Sequence, residues 1–181
     1  MKTIEQYIET EMSGKITRKR NSPLPALLVL LVGVGMLVLL GAAKMDDSLS
    51  ATCLTIGLLG TALGLILTAM NITGAMSHFV YQPTRSRMRE KKVYVSGDDY
   101  NAIVEAIASG DTQPLAAICP VVSSNSAVRV LASSDGECAL VQAIRDQNGH
   151  FEPETEVRLF SGASAAAVHH LAFAHKVKGE N

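Results

Sequence analysis

The sequence contains no tryptophan, only four phenylalanines and four tyrosines, and only three cysteines among 181 residues. With so few aromatic side chains, any folded core must be built mainly from aliphatic residues and alanine, and it will be thin. The cysteines, at positions 53, 119 and 138, form no CxxC pair and are odd in number. This spacing excludes the usual zinc and redox motifs, so we interpret Cys119 and Cys138 as small buried apolar residues and place Cys53 inside the second apolar run.

Two long segments lack charge. Residues 24–43 are twenty uncharged and mostly apolar positions, and no Asp, Glu, Lys or Arg occurs from Ser48 to Thr84. A helix rises about 1.5 Å per residue, so a run of this length spans about 30 Å, the hydrocarbon thickness of a bilayer. The 89 residues of the segment 93–181 are too few to cover two such helices on every side. The sequence therefore predicts two transmembrane helices joined as an antiparallel hairpin.

We expect a membrane-anchored α+β protein, in which a two-helix transmembrane hairpin is followed by a small cytoplasmic domain. That domain is predicted to contain an antiparallel sheet of three to four strands and two helices. The predicted boundaries are 1–22 for a cytoplasmic or interfacial amphipathic segment, 23–43 for transmembrane helix 1, 44–50 for an external loop, 51–82 for transmembrane helix 2 and its extension, 83–92 for a basic juxtamembrane linker, and 93–181 for the cytoplasmic α+β domain.

Basic residues flank the predicted hairpin on both sides. Residues 1–23 and 77–92 carry five Lys or Arg each, whereas the connector 44–50 carries only Lys44. Because short flanks rich in Lys and Arg stay in the cytoplasm, both termini are predicted to be cytoplasmic and the protein to lie in the inner (plasma) membrane. A cleaved signal peptide ending near the letters LGAAK is the alternative for the first apolar run.

The second basic cluster follows the second apolar run directly. We interpret it as a membrane-surface anchor that either sets the topology alone or also binds anionic lipid headgroups. The cluster consists of Arg85, Arg87, Arg89, Lys91 and Lys92.

Small residues form a stripe in the second apolar run, at Gly57, Gly60, Gly64 and Thr68. Glycine at such positions lets two helices approach closely and gain dispersion contact. We interpret the stripe as a helix-packing surface that serves either the hairpin itself or an oligomer. Neither apolar run contains a charged residue, which argues against a channel or a transporter.

An amphipathic helix is predicted over residues 3–13, with Thr3 and Gln6 as a capping box, and we expect it to lie on the cytoplasmic leaflet. In the domain that follows, a short strand at 93–95 precedes a helix that begins after Ser96 and ends at Gly110. The pattern then predicts a helical turn at 113–119, strands at 127–133 and 137–145 joined by the turn SSDG, a loop over 146–154, a strand at 155–160, and a final helix capped by Ser161. We expect the helices to lie on one face of the sheet.

No motif for catalysis or nucleotide binding is present, since the Walker loop, the Rossmann glycine fingerprint and HExxH are all missing. His169 and His170 are adjacent on a helix and point about 100° apart, and His175 follows at an unsuitable spacing, so they do not predict a metal site. Asp98 and Asp99 stand at a helix start, where acidic residues complement the helix dipole. We therefore predict no catalytic, cofactor-binding or metal-binding residue and no cofactor.

Residues 93–181 carry five basic and eleven acidic residues, a net charge of −6 that argues against nucleic-acid binding. Our leading hypothesis is a non-enzymatic integral membrane protein that presents a small cytoplasmic interaction domain, as a scaffold, an adaptor or a subunit of a membrane assembly. Its expected partners are the lipid bilayer and either copies of itself or other membrane proteins. The alternative is a membrane-tethered regulatory domain that senses a small anion or nucleotide, and a third hypothesis is a hydrolase that uses Ser161 or Ser164.

Overall fold

The computed structural model of the chain describes residues 1–42, 46–75, 77–117 and 119–174, so Lys44 and His175 lie outside the described residues. The chain forms two compact units, Met1–Arg18 with Phe79–Asn181, and Lys19–His78. The helices and strands are, in chain order, α1 (Ile4–Glu11), β1 (Ile16–Arg20), α2 (Leu24–Ala42), α3 (Asp47–Ile72), β2 (Ser77–Tyr81), β3 (Ser86–Tyr94), α4 (Gly97–Ser109), α5 (Gln113–Ala116), β4 (Ser126–Ser133), β5 (Cys138–Gln147), β6 (His150–Pro153), β7 (Arg158–Ser161) and α6 (Ala163–Ala174).

The strands form one curled sheet in the order β1-β2-β3-β4-β5-β6, and β7 also pairs with β5. Every pairing from β2 onward is antiparallel, which confirms the predicted α+β class with more strands than the three or four we expected. β4 takes one edge of β5, while β6 and β7 share the other edge. Residues 154–157, between β6 and β7, belong to neither strand, and Thr155 Oγ1 accepts a hydrogen bond from the Ala143 N–H at 3.0 Å. The edge of β5 therefore stays hydrogen-bonded across the gap.

The loop that we expected over 146–154 is instead a tight hairpin between β5 and β6. Asn148 and Gly149 both have positive φ, at 58° and 86°. A two-residue turn of this kind matches the right-handed twist of the flanking strands, and Asn-Gly is its most favoured sequence. The segment contains few apolar residues, so its sequence shows no strand pattern.

Helices cover both faces of the sheet, which corrects the expectation that they lie on one face. On the first face, α4, α5 and α6 bury a core that includes Val128, Val130 and Val141. On the second face, α1 packs Ile4 and Ile8 into a separate core with neighbouring strands. β4 and β5 are consequently buried on both sides, and their sequences are nearly continuous apolar runs.

The structure therefore places α1 in the α+β unit, where we had expected a helix on the membrane leaflet. Its capping box is formed as predicted, with the Gln6 N–H donating to Thr3 Oγ1 and the Thr3 N–H donating to Gln6 Oε1. The apolar stripe of an amphipathic helix fits a sheet as well as it fits a bilayer surface. Here Leu131 and Leu140 supply the complementary apolar surface.

The extension of the second apolar helix to residue 82 and the basic linker 83–92 are also corrected. α3 ends at Ile72, and the chain then forms β2 and the nine-residue strand β3. Side chains of a strand alternate between faces, and in β3 this alternation buries Met88 on one face and Val93 on the other. The many charged residues between them masked the strand pattern.

Several local predictions of the α+β unit are confirmed. Ser96 Oγ accepts a hydrogen bond from the Asp98 N–H at the start of α4, and Gly110 ends that helix with a φ of 81°. The hairpin of β4 and β5 forms as expected. α6 begins one residue later than predicted, because Gly162 rather than Ser161 precedes its first turn, with a φ of 58°.

The unit Lys19–His78 contains α2 and α3, packed against each other along a glycine-lined contact. A Cβ atom placed on Gly60 would lie 3.0 Å from Gly33 Cα, and one on Gly64 would lie 2.6 Å from Leu30 Cα. Gly57 is similarly close to Leu37. These glycines therefore form the contact between α2 and α3 within the chain itself.

Thr68, which we grouped with this stripe, bonds within its own helix. Its Oγ1 donates to the Gly64 carbonyl at 2.7 Å, so its hydroxyl is satisfied without a second helix. At the ends of the two helices, Asn71 Nδ2 donates to the Ser22 carbonyl at 3.2 Å.

The outward surfaces of α2 and α3 are apolar and exposed. In the most apolar 18-residue segment of each helix, only 11% is buried. Leu31 and Leu59, for example, are 66% and 67% exposed. Both helices are long and apolar enough to cross a membrane. A helix that is apolar all round needs an apolar environment beyond its one partner.

Replacing Gly64 by alanine is expected to destabilise the helix pair, whereas Gly35→Ala in α2 is not. A Cβ on Gly64 collides with Leu30, but one on Gly35 meets nothing within 4 Å. Overpacking typically costs about 1–3 kcal/mol, and alanine is favoured over glycine in a helix by up to about 1 kcal/mol. Thermal unfolding in mild detergent, followed by circular dichroism, measures both changes. Equal unfolding temperatures for the two variants would contradict this close approach.

Candidate functional site

A row of polar side chains crosses the α1-facing side of the sheet. Lys92 on β3 pairs in register with Arg129 on β4, and Arg129 pairs with Gln142 on β5. The neighbouring row on the same face contains Leu131 and Leu140, which belong to the apolar core under α1. The polar row therefore begins where that core ends, beside the N-terminus of α1.

Arg129 fastens α1 to the sheet. Its guanidinium forms a fork with both carboxylate oxygens of Glu5 on α1, with Nη1 at 3.1 Å and Nη2 closer, and Nε donates to Glu90 Oε1 at 2.6 Å. Bidentate pairs of this kind are stronger and more directional than single hydrogen bonds. The Arg129 side chain is 24% exposed, so solvent screens the pairs only in part.

The pKa values of these groups follow from the contacts. Burial lowers the pKa of Arg129, but hydrogen bonds to Glu90 and Glu5 outweigh burial and leave that pKa above its ordinary value. Burial raises the pKa of Glu5, and the hydrogen bond from Arg129, together with the attraction between the charges, brings it below its ordinary value of 4.5. Glu5 and Arg129 are therefore both charged at neutral pH and satisfy each other.

Gln142 is fully buried and only half satisfied. Its Nε2 donates to the Lys2 carbonyl at 2.7 Å and to the Thr155 carbonyl at 3.0 Å. Two carbonyl acceptors fix the orientation of the amide, because a flipped amide would place oxygen against oxygen. Its Oε1 then accepts no hydrogen bond from any described residue. A buried polar atom without a partner typically costs about 1–3 kcal/mol.

Lys92 lies under two aromatic rings. Its Nζ is 2.8 Å from the centre of the Phe151 ring and 5.0 Å from that of Tyr94. The two rings meet edge to face, with centres 6.1 Å apart, although they come from β6 and β3. Within the described ranges of the chain, Lys92 forms no ion pair with a carboxylate.

These groups line a cavity of about 240 Å³, which we call the row pocket. Apolar side chains complete its wall on the side of β5 and β6. Its lining residues are Thr3, Glu90, Lys92, Arg129, Gln142, Ile144, Phe151 and Pro153.

Two further cavities lie on the other side of the sheet or at its margin. One, of about 410 Å³, lies between α4 and residues 154–158, and one of about 200 Å³ lies between β3, residues 120–122 and α6. The row pocket differs from both because it contains Gln142, whose buried Oε1 lacks a partner among the described residues. It is therefore the best candidate for a ligand site.

The predicted basic cluster does not form one patch. Arg85 lies in the turn between β2 and β3 with a φ of 55°. Arg87, Arg89 and Lys91 occupy every second position of β3 and therefore share the face opposite α1. Lys92 points to the α1 side and lines the row pocket. Alternation along the strand thus separates residues that the sequence places next to each other.

The other candidate residues occupy separate places. His169 packs its ring against Phe173 at 5.0 Å between ring centres, while His175 lies outside the described residues. Ser161 is the last residue of β7, and Ser164 lies in the first turn of α6. In the portion of the chain that the structure describes, no three His, Cys, Asp or Glu side chains form a group that could hold a metal ion.

Sequence reasoning missed the row pocket, because its residues come from five separate segments. One signal was available: Gln142 interrupts the apolar run CALVQAI of β5. A polar residue inside a strand that is buried on both faces must find partners, and this marks the position for attention.

No protein-family model matches the chain, and no curated protein or solved structure matches it. Its function must therefore be argued from its own residues and geometry.

The pairing of Glu5 with Arg129 predicts a pH-dependent contribution to stability. Because the pKa of Glu5 is lowered on folding, its stabilising effect is full above the ordinary value of 4.5 and is lost as the pH falls through the lower folded pKa. Glu5→Gln should therefore be less stable than the wild type at pH 7 and approach it in acid.

The matched control is Glu9→Gln, which removes an exposed carboxylate from the same helix. Thermal unfolding of the three proteins from pH 7 to acid measures the difference directly. A Glu5→Gln deficit that does not change with pH would show that the charge pair is not its cause.

Proposed function

We propose that the protein is a non-enzymatic, two-pass membrane protein whose α+β unit is an interaction module on the cytoplasmic side. In this proposal it acts as a scaffold, an adaptor or a subunit of a membrane assembly. The observation that carries the proposal is the pair of exposed apolar helices between two neighbouring strands of one sheet.

The dimensions of α2 and α3 support insertion into a bilayer. With 19 and 26 residues, they span roughly 28 and 39 Å at about 1.5 Å per residue, against a hydrocarbon core of about 30 Å. Their outward side chains are apolar and exposed, and lipid chains are the natural environment for such a surface. The longer α3 begins at Asp47, so its first turn extends into the polar layer.

The sheet order supports a topology with both ends on one side. β1 precedes α2 and β2 follows α3, yet the two strands are neighbours in the sheet. Segments that pair with each other lie in the same compartment. The basic residues flanking the hairpin favour the cytoplasmic side, and hence the inner (plasma) membrane.

The state of the reactive groups supports binding rather than catalysis. Burial raises the pKa of the Cys138 thiol to about 11, so this thiol stays protonated and is a poor nucleophile. The Tyr100 hydroxyl donates to Glu154 at 2.7 Å, and burial together with this bond raises its pKa. Arg145 pairs with the same Glu154 carboxylate at 2.9 Å. Tyr100, Glu154 and Arg145 thus bind one another, and these contacts stabilise the fold.

The topology can be tested with a native cysteine. Cys119 is exposed, which corrects the expectation that it is buried, whereas Cys53 and Cys138 are buried. A membrane-impermeant maleimide should therefore react mainly with Cys119. We expect no labelling in intact cells and full labelling in inverted membrane vesicles. Labelling of Cys119 from outside would overturn the cytoplasmic placement.

The matched variant for this test is Ser48→Cys in a Cys119→Ser background, because Ser48 is exposed at the start of α3. It should react in intact cells. Reaction of positions 48 and 119 from the same side would overturn the crossing of the membrane by the helices.

Partner capture tests the interaction module. We expect a photo-crosslinking amino acid at the exposed position Arg89 to capture a small, reproducible set of membrane proteins in the native host. The matched control carries the same group at the buried position Val141. Mass spectrometry identifies the captured proteins. A chain that captures nothing, or only copies of itself, would contradict the role of an adaptor.

A further inference from the structure

We propose that the row pocket binds a small organic carboxylate that also carries an N–H or O–H donor, a molecule of the size of an amino acid. The site lies wholly within the α+β unit and does not depend on where α2 and α3 lie. Three features of the pocket carry the proposal: an acceptor and a cation that pair with no described residue, and a small apolar wall.

The acceptor is Gln142 Oε1. The two carbonyl groups that receive its Nε2 hold the amide in place, so Oε1 cannot turn away to find another partner. A bound N–H or O–H group would satisfy this atom and remove the cost of burying it unpaired. A ligand without a donor leaves that cost in place.

The cation is the Lys92 ammonium. Phe151 and Tyr94 hold it by their ring faces, and cation–π contact leaves N–H bonds free to point elsewhere. Arg129 cannot take this role, because Glu5 and Glu90 already occupy its guanidinium. An entering carboxylate therefore pairs with Lys92.

The size of the pocket limits the ligand. A cavity of about 240 Å³ is smaller than the roughly 300–1,000 Å³ of sites for drug-sized molecules, so it favours a ligand smaller than a nucleotide. Ile144, Phe151 and Pro153 provide the apolar wall. A short aliphatic chain between donor and carboxylate fits this combination of surfaces.

Matched ligands test the two polar contacts separately. γ-Aminobutyrate, butyrate and butylamine share a four-carbon chain and differ only in the donor and the carboxylate. We would measure the unfolding temperature of the full-length protein in mild detergent with each compound at millimolar concentration, together with the common amino acids and hydroxy acids. Isothermal titration then gives the affinity of each compound that stabilises the protein.

We expect at least one compound with both groups to raise the unfolding temperature, and its counterparts with one group to bind more weakly. Lys92→Met should weaken binding by about tenfold to a hundredfold, the effect of one charge-assisted hydrogen bond. The matched control is Lys91→Met, on the neighbouring position of β3 and the opposite face, which should bind as the wild type does.

Three results would overturn the proposal. A pocket that holds only water would show no response to any compound. Equal binding of a carboxylate with and without its donor would remove the role of Gln142. Equal losses in Lys92→Met and Lys91→Met would place the ligand elsewhere. None of these results bears on the membrane topology, so the two proposals fail independently.

Discussion

The structure depends on one topological constraint: β1 and β2 are neighbours in the sheet, although two long apolar helices separate them in the chain. The chain leaves the sheet after Arg20 and returns to it at Ser77, so α2 and α3 must form a closed hairpin. Gly33, Gly60 and Gly64 allow the close approach that this closure requires. The hairpin is thus an insertion into a sheet, and the proposed anchor and the folded unit cannot be regarded as two consecutive modules.

The sequence predicted those elements whose signals do not depend on distant residues. The absence of charge identified α2 and α3, and local capping identified α1 and α4 with its end at Gly110. The strand predicted at 93–95 covers only the end of β3. The first part of β3 was missed because Arg87, Arg89 and Glu90 hide an alternation that only Met88 and Val93 reveal. The position of α1 was missed for a different reason, because the apolar stripe of a helix packs equally well against lipid or against a sheet.

The candidate site could not be predicted in the same way, because register rather than sequence spacing assembles it. Lys92, Arg129 and Gln142 become neighbours only when β3, β4 and β5 pair. Most polar groups of this face satisfy one another, as Arg129 does with its two carboxylates. Against that background Gln142 Oε1 and the Lys92 ammonium stand out because neither pairs with a described residue, and Gln142 and Lys92 both line the same cavity.

α1 is synthesised before the strands that hold it. Glu5 and Arg129 are 124 residues apart in the chain, and Lys2 and Gln142 are 140 residues apart. Contacts between such distant residues form late, because the intervening chain must first be ordered. Until β4 and β5 have paired, α1 lacks the apolar surface that it covers and β4 has an open edge. We therefore expect the second face of the sheet to assemble late, and a chain stopped before β5 to present both an amphipathic helix and an unpaired strand edge to its surroundings.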